Sequence, residues 1–304
     1  MNSTLRLSTF FCVLFLAISC NKSVDANQET ILKGKATLLV DATLMPVMED
    51  QVQIFESRYD ATIGINAQSE TEVIQSLVKD TSSIAVLSRK LNADEMKIFA
   101  NRKIIPKITP IALDAVALIT NSNSKDTLVD IKAVIDFMNG KPSPKIKGLV
   151  FDNANSSTVR YMNKLAGLTT IPQKGVFSFG TNNEVIKFVS QNEGMIGVVG
   201  LNWLTQPRPE MQSYVDKVVA LSVKGHNQND FFAPDQNNIA EGKYALAREI
   251  YIVNCQGFSG LGMGFASFVA GDIGQRIILK SGLLPYKVPP RKLSIRNQIN
   301  NDKK

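Results

Sequence analysis

Short apolar runs alternate with segments of helical periodicity along most of this chain, and that alternation limits its possible folds more than any other feature. An apolar run at residues 37–40 is followed by Met48, Val52 and Phe55 at helical spacing, and residues 62–65 return to strand character. Alternating strands and helices are typical of α/β domains with mainly parallel sheets. A chain of 304 residues is long enough for one large or two medium domains of this class.

Two longer apolar segments, residues 111–119 and residues 248–253, suit buried strands that run between two lobes. Because the chain then crosses between the lobes twice, the first lobe is expected to be discontinuous in sequence. We predict that lobe 1 comprises residues 33–114 plus 246–288 and that lobe 2 comprises residues 115–245.

Two further regions have a less regular pattern. Residues 208–243 are polar and rich in Asn, Asp and Gln, which predicts a long excursion on the surface. Residues 262–279 have the apolar spacing of a final helical region. The chain shows no internal repeat and no low-complexity stretch.

The N-terminus has the pattern of an export signal. Arg6 precedes an apolar run that is shorter than the ~20 residues that a membrane-spanning helix needs. Residues 16–20, which end in Cys20, resemble a bacterial lipobox. We predict a signal peptide over residues 1–19, lipidation of Cys20 and a polar tether over residues 20–32. The exported chain would face the periplasm or the cell exterior and be held at the membrane by its lipid anchor alone.

Cysteine usage agrees with export followed by acylation. Of the three cysteines, Cys12 is expected to leave with the signal peptide and Cys20 to carry the lipid. Cys255 then stands alone, so no internal disulfide can form in the mature chain. The only histidine is His226, in a polar loop, and Cys255 is therefore expected to pack in the core rather than act as a nucleophile.

Most of the excess positive charge lies at the two ends of the chain. The formal net charge is +7, but the residues after Tyr286 include six Lys and Arg against one acidic residue, and Arg6 lies in the signal peptide. The body of the protein is therefore close to neutral, which gives no reason to expect a nucleic-acid partner. We predict that residues 289–304 form a solvated basic tail.

The chain is poor in the residues that enzymes and metal sites use. It has one histidine, no His, Cys or carboxylate cluster at metal-ligand spacing, no nucleophile elbow and no phosphate-cradling glycine loop that ends in Lys. We predict a protein without catalytic activity, metal or cofactor.

Hydroxyl residues stand at three predicted strand-to-helix turns. A helix N-terminus offers free backbone amides and a partial positive charge, which suit a bound oxyanion. Each turn alone is better explained by ordinary helix capping, as for Ser69 and Glu72, which have the spacing of a capping box. Their number, in a two-lobed pattern whose ligands bind between the lobes, favours an oxyanion site. The turns are residues 41–44, residues 68–72 and residues 153–158.

The order and spacing of these segments resemble the phosphate-binding, PstS-like substrate-binding proteins of ABC transporters. Residues 41–44 look like the first anion loop of that family, and Ser69 falls at its second hydroxyl contact. Ser156, Ser157 and Thr158 look like the Ser-Gly-Thr loop that wraps the ligand from the other lobe. The resemblance spans residues 33–288, nearly the whole mature body.

This resemblance implies an α/β, two-lobed type II periplasmic-binding-protein fold, in which each lobe is a mixed sheet flanked by helices and two crossing segments form the hinge. It also implies that hydroxyls and backbone amides hold inorganic phosphate or a related tetrahedral oxyanion between the lobes. The protein, expected to be a monomer, would pass the anion to an ABC transporter permease. The implied ligand contacts are Thr43, Leu44 through its backbone amide, Ser69, Ser156, Ser157 and Thr158.

Several positions depart from the family pattern. Ser157 replaces a Gly, and Asp152 and Ala154 stand where an Arg and an Asp precede the Ser-Gly-Thr loop. Near Ser88, where the family has an acidic residue, this chain has Arg89. These departures also keep open an alternative function, in which a surface lipoprotein with a degenerate pocket acts as a sensor or adhesion module.

The departures leave open which carboxylate meets the ligand. A buried carboxylate accepts the proton of hydrogen phosphate and rejects sulfate, because an unprotonated oxygen leaves the acceptor unpaired and repelled. Asp41, Asp114 and Asp152 are the alternatives for this role. Ser88, Arg89 and Arg160 are possible ligand contacts, the two arginines as cationic partners of the anion. The competing interpretations are an exposed side chain for Arg160 and, for Arg89, an ion pair with Asp94 or Glu95.

Overall fold

The computed structural model describes residues 29–288. The predicted signal peptide, the lipidation site Cys20 and the basic tail over residues 289–304 lie outside the described residues. Within residues 29–288 the chain forms twelve strands and eleven helices.

The strands are β1 (Lys33–Asp41), β2 (Asp60–Gln68), β3 (Ile84–Leu87), β4 (Lys107–Asn121), β5 (Leu128–Asp130), β6 (Gly148–Phe151), β7 (Val176–Ser178), β8 (Met195–Gly200), β9 (Val218–Ala220), β10 (Ser222–Lys224), β11 (Ala247–Asn254) and β12 (Leu284–Pro285). The helices are α1 (Met45–Glu56), α2 (Glu70–Lys79), α3 (Ala93–Asn101), α4 (Ile131–Met138), α5 (Ser157–Ala166), α6 (Asn182–Gln191), α7 (Asn202–Thr205), α8 (Gln212–Val215), α9 (Gln236–Ala240), α10 (Leu261–Val269) and α11 (Asp272–Lys280). Short 3-10 turns precede α1 and α8, at Ala42–Leu44 and Pro209–Met211.

Eight strands form one continuous path in the order β2-β1-β3-β11-β4-β8-β6-β7. The outer pairs at each end, β1 with β2 and β3, and β6 with β7 and β8, are parallel. The crossing strands β4 and β11 are antiparallel to each other and to their neighbours. Each end of the path is therefore parallel and the middle is antiparallel, which confirms the predicted α/β class with mixed sheets.

The long strand β4 changes its partner halfway along its length. Residues 107–115 pair with β11, whereas residues 116–121 pair with β8 and β9. Strand β11 brings the chain back into the first half of the sheet. We propose that the two lobes meet at this change of partner, as the sequence predicts. Lobe 1 then comprises residues 33–114 with 246–288, and lobe 2 comprises residues 115–245.

Burial explains why these segments could be recognised in the sequence. Strands β3, β6 and β8 are buried along their whole lengths, so they are apolar runs rather than alternating patterns. Helix α1 carries Pro46 in its first turn, where the missing N–H costs nothing. Its buried face places the Phe55 ring against those of Phe265 and Phe268, with centroids 5.4 and 5.2 Å apart.

The structure adds a break to one local prediction and contradicts another. The helical region expected over residues 262–279 is broken at Gly271 into α10 and α11. A Cβ at Gly274 would lie 2.4 Å from the Val269 carbonyl oxygen, so this glycine allows α11 to fold back tightly on α10. The expected surface excursion over residues 208–243 contains β9, β10, α8 and α9. It buries single apolar residues that are too sparse to form a periodic pattern: Met211, Leu221, Val223 and Ile239.

Cys255 lies in the core of lobe 1. Burial raises the pKa of its thiol to about 12, so the group is protonated at neutral pH and is a poor nucleophile. Over residues 29–288, no helix is both long enough and apolar enough to cross a membrane.

Candidate functional site

A buried ion pair joins the two crossing strands at the boundary between the lobes. Arg248 of β11 and Asp114 of β4 are cross-strand partners, and their side chains are 3 % and 0 % exposed. The Arg248 guanidinium donates from Nε and Nη2 to Oδ2 of Asp114, over 3.0 and 2.8 Å. Burial is the largest influence on the Asp114 carboxyl and raises its pKa, against the opposing effect of the Arg248 charge.

The same guanidinium also reaches both lobes. Nη2 of Arg248 donates to Oγ1 of Thr43 in lobe 1 over 3.1 Å, and Nη1 donates to Oγ of Ser157 in lobe 2 over 2.8 Å. The two hydroxyl oxygens are themselves 3.0 Å apart and share a hydrogen bond. The lobes are thus in direct polar contact at this point, and the Arg248 guanidinium donates to both sides of the contact.

Both hydroxyls stand at the start of a helix, as the sequence predicts. Thr43 lies in the 3-10 turn that leads into α1, and Leu44 is the buried N-cap residue of that helix. Ser157 is the first residue of α5. The first backbone N–H groups of a helix have no partner within it. The N-termini of α1 and α5, with these amides, therefore both lie next to the Arg248 guanidinium.

The other two hydroxyls of the lobe 2 loop bind a carboxylate instead. Ser156 and Thr158 donate to Oδ1 of Asp152 over 2.5 and 2.6 Å, and the Asn182 amide donates to Oδ2 over 3.0 Å. Burial raises the pKa of Asp152 despite these hydrogen bonds. The structure therefore brings Ser157 to Thr43 but places Ser156 and Thr158 on Asp152.

Ser69 is the N-cap residue of helix α2, which is the ordinary role that its spacing from Glu72 predicts. Its hydroxyl donates to Oε2 of Glu72 over 2.6 Å, and the Glu72 side chain also accepts from the Ser69 backbone N–H. The two residues form the capping box of α2.

A second buried carboxylate, Glu70, lies at the first position of α2. Oε1 of Glu70 is 2.5 Å from Nε of Arg89 and 2.6 Å from Nε of Arg160. Oε2 accepts from Nη2 of Arg160 over 2.7 Å and from Oγ of Ser88 over 3.3 Å. Arg89 also forms a two-pronged ion pair with Glu95, one of the two partners that the sequence allowed. The structure thus gathers Ser88, Arg89 and Arg160 around Glu70.

Asp41 differs from the other two carboxylates proposed to meet the ligand. Its Oδ1 accepts the Thr43 backbone N–H over 3.1 Å, while its Oδ2 is buried without a hydrogen-bond partner. Oδ1 of Asp114 is also unpartnered, but that carboxylate is neutralised by Arg248, whereas among residues 29–288 Asp41 makes no ion pair. Burial raises the pKa of Asp41 to about 6, against the lowering effects of the Arg248 charge and of the nearby Ser157 hydroxyl.

Sequence reasoning missed Arg248 and Glu70 as site residues. Arg248 and Glu249 are the two charged residues at the start of one crossing segment, and Asp114 is the one charged residue within the other. Two opposite charges in two buried strands are a usable signal, because each would be costly without the other. Over the described residues, no group of three or more His, Cys, Asp and Glu side chains could hold a metal ion.

The family model described as PBP superfamily domain matches residues 25–272, most of the chain. The chain belongs to this family. It is similar to a candidate phosphate ABC transporter substrate-binding protein of Clostridium perfringens with bound phosphate. That match has a TM-score of 0.70 and 22 % identity, and covers 84 % of this chain and 100 % of the other. An ABC-type phosphate transport receptor of Vibrio cholerae matches with a TM-score of 0.62 and 17 % identity, over 83 % and 100 %.

A curated relative, phosphate-binding protein PstS 2 of Streptococcus pneumoniae, is 24 % identical over 131 residues. The match covers 41 % of this chain and 43 % of the relative, so it spans less than half of that relative's length. Together the matches confirm the PstS-like type II periplasmic-binding-protein fold.

The buried ion pair generates a prediction about stability. Asp114→Leu is expected to lower the free energy of unfolding by about 3 to 5 kcal/mol, because it leaves the Arg248 charge buried and uncompensated. The double variant Asp114→Leu with Arg248→Met removes both charges and is expected to recover most of that loss. Urea unfolding of the two variants and the parent measures both effects.

The matched control is Asp94→Asn, which breaks an ion pair whose carboxylate is 90 % exposed and is expected to leave the unfolding midpoint unchanged. A double variant that is as unstable as Asp114→Leu would show that the ion pair does not dominate this site.

Proposed function

We propose that this protein captures a tetrahedral oxyanion, with phosphate as the first choice, between its two lobes and delivers it to an ABC transporter. The observation that carries the proposal is the convergence of the Thr43 and Ser157 hydroxyls, each at a helix start in a different lobe, on the buried Arg248 guanidinium. The phosphate-binding proteins of C. perfringens, V. cholerae and S. pneumoniae to which the chain is similar support the choice of anion.

Binding proceeds in this proposal by opening and closure of the hinge formed by β4 and β11. The Thr43–Ser157 hydrogen bond breaks as the lobes part, and the anion takes its place between the two hydroxyls. Arg248 stays in position because Asp114 holds it from the hinge. The anion then receives the Thr43 hydroxyl and the Leu44 amide from lobe 1, and Ser157 from lobe 2.

The energies of these contacts are sufficient only in combination. One helix N-terminus contributes about 0.3 to 1 kcal/mol to an exposed anion and up to ~2 kcal/mol to a partly buried one. Hydrogen bonds to a charged group contribute about 1.5 to 3 kcal/mol each. Micromolar affinity requires about 8 kcal/mol, so Arg248 and the two hydroxyls have to act together with the helix starts.

Ser69, Ser156 and Thr158 have a supporting role in this proposal. Their hydroxyls already bind Glu72 and Asp152, so they hold the helix starts in place and contribute to the ligand only where those hydrogen bonds yield. Export, the lipid anchor at Cys20, the permease partner and the monomeric state belong to the same proposal.

We further propose that Asp41 selects the protonation state of the anion. Its Oδ2 lies near the Ser157 hydroxyl and the Arg248 charge, but no donor meets it with hydrogen-bond geometry, so it can accept a hydrogen bond from a ligand. A protonated oxyanion such as hydrogen phosphate supplies that donor. Sulfate lacks the proton, so it leaves Oδ2 unpaired and repelled.

The proposal predicts which hydroxyls phosphate binding needs. Inorganic phosphate is expected to raise the melting temperature of the parent and to bind in calorimetry. Thr43→Val and Ser157→Ala are each expected to weaken binding by about tenfold to 100-fold, because each removes one hydrogen bond to a charged ligand. Thr62→Val, which removes an exposed hydroxyl in β2, is the matched control and should bind as the parent does.

Two results would contradict the proposal. One is a Thr43→Val variant that binds phosphate like the parent. The other is a parent that phosphate, sulfate, arsenate and molybdate all fail to stabilise, which would favour the sensor or adhesion role.

Selectivity between anions is expected to depend on pH through Asp41. Since burial raises its pKa to about 6, the carboxylate accepts a proton from the ligand above that pH and is itself protonated below it. The preference for phosphate over sulfate should therefore be complete well above pH 6 and decline as the pH falls through that value. Calorimetric titration of both anions at several pH values measures the ratio of affinities.

Asp41→Asn separates this effect from the titration of phosphate itself, because the variant meets the same ligand species at each pH. The preference of Asp41→Asn for phosphate over sulfate is expected to be lower than that of the parent. It should also lack the change near pH 6 that titration of Asp41 causes in the parent. Asp60→Asn removes an exposed carboxylate and is the control. An Asp41→Asn protein whose selectivity follows the parent at every pH would rule out this role for Asp41.

A further inference from the structure

Glu70 is a buried carboxylate that the binding scheme above does not use. Its side chain is 2 % exposed, and it is held by guanidinium groups from both lobes. Arg89 belongs to lobe 1 and Arg160 to lobe 2. The contact between Glu70 and Arg160 is therefore an ion pair between the lobes, as is the more exposed Arg208–Glu49 pair.

The two arginines are engaged to different degrees. Arg89 divides its donors between Glu70 and Glu95 and is attached within lobe 1 alone. Arg160 donates from Nη2 to Oε2 of Glu70 over 2.7 Å, and its Nε lies 2.6 Å from Oε1 of the same carboxylate without forming a hydrogen bond. Its side chain is 36 % exposed, so this ion pair lies at the rim of the cleft. Next to it, the Thr71 hydroxyl is 3.5 Å from the Asn155 carbonyl oxygen of lobe 2.

Glu70 stands where an oxyanion would be stabilised. It occupies the first turn of α2, where the partial positive charge of the helix favours an anion. Its negative charge acts on the central site, since it contributes to the raised pKa of Asp41. The carboxylate thus presents two acceptor oxygens to two guanidiniums and a serine hydroxyl, the kinds of donor that an oxyanion would use.

We propose that Glu70 is a resident anion of the cleft, which locks the lobes together through Arg160 and competes with the incoming oxyanion for that arginine. The competition rests on the proposed function, whereas the lock does not. A ligand that displaces Glu70 from Arg160 binds more weakly than it would in the absence of the carboxylate, since two anions that share one cation oppose each other. A ligand that left the ion pair intact would instead gain affinity from Glu70, because the ion pair holds the lobes closed around it. Whether removal of the Glu70 charge strengthens or weakens binding therefore distinguishes competition from support.

Three variants of the full chain test both parts. Glu70→Gln keeps the shape of the side chain and removes its charge, while Arg160→Gln breaks the same link from the other side. Glu241→Gln is the matched control, because it removes one exposed carboxylate that pairs only with Lys243 at the surface. Circular dichroism and thermal unfolding establish that each variant is folded.

Small-angle scattering in buffer without oxyanions tests the lock. Glu70→Gln and Arg160→Gln are both expected to increase the radius of gyration, because the lobes separate more readily, and Glu241→Gln is not. Unchanged radii for both variants of the ion pair would overturn the lock. This measurement is independent of whether the protein binds phosphate.

Calorimetry with inorganic phosphate tests the competition. Glu70→Gln is expected to bind phosphate about fivefold or more tightly than the parent, whereas Arg160→Gln gains nothing because it has lost the cation as well. Equal or weaker binding by Glu70→Gln would overturn the competition. A parent that binds no phosphate would contradict the proposed function and, with it, the competition, while the scattering result would still decide the lock.

Discussion

The buried ion pair between Arg248 and Asp114 is the interaction on which the rest of the site depends. Both side chains are almost completely removed from solvent, and either charge would be strongly destabilising without the other. The pair therefore fixes which residues of β4 and β11 face each other. With two of its donors directed at Asp114, the guanidinium has a defined orientation, and its remaining contacts point to Thr43 and Ser157. One electrostatic requirement in the hinge thus positions the polar groups of both lobes.

Polar contacts join the lobes near the site, beside an apolar core that is continuous through both lobes. Inside the lobes, strands β3, β6 and β8 are buried by apolar neighbours. Between the lobes, the contacts include hydrogen bonds such as that from Nε1 of Trp203 to the Thr43 carbonyl oxygen, 3.0 Å long, and the Arg208–Glu49 ion pair. Exchange of such contacts for ligand or water contacts costs little net free energy. Polar contacts of this kind near the site are suited to opening and closing.

Much of the fold could be predicted because burial leaves a direct trace in the sequence. Fully buried strands appear as apolar runs, and the buried face of α1 appears as Val47, Met48, Val52 and Phe55 at helical spacing. The excursion over residues 208–243 was misjudged because its buried residues are isolated among polar ones, and their burial depends on β5, which pairs with β10 from far along the chain.

The site was predicted in outline only. Thr43 and Ser157 could be placed at helix starts from local patterns, since capping chemistry involves residues close in sequence. The link from Arg248 to Thr43 joins residues 205 positions apart, and strand periodicity does not define the register that creates it. Ser156 and Thr158 were assigned to a ligand by resemblance, whereas Asp152, only four and six residues away, takes their hydrogen bonds.

A crystal structure of the protein grown in saturating phosphate tests the central claim most directly. The account predicts one phosphate between the lobes, with its oxygens within hydrogen-bond distance of Oγ1 of Thr43, Oγ of Ser157 and the Arg248 guanidinium, and with one oxygen facing Oδ2 of Asp41. Phosphate bound elsewhere, or crystals in which Thr43 and Ser157 keep their direct hydrogen bond at saturating phosphate, would contradict it.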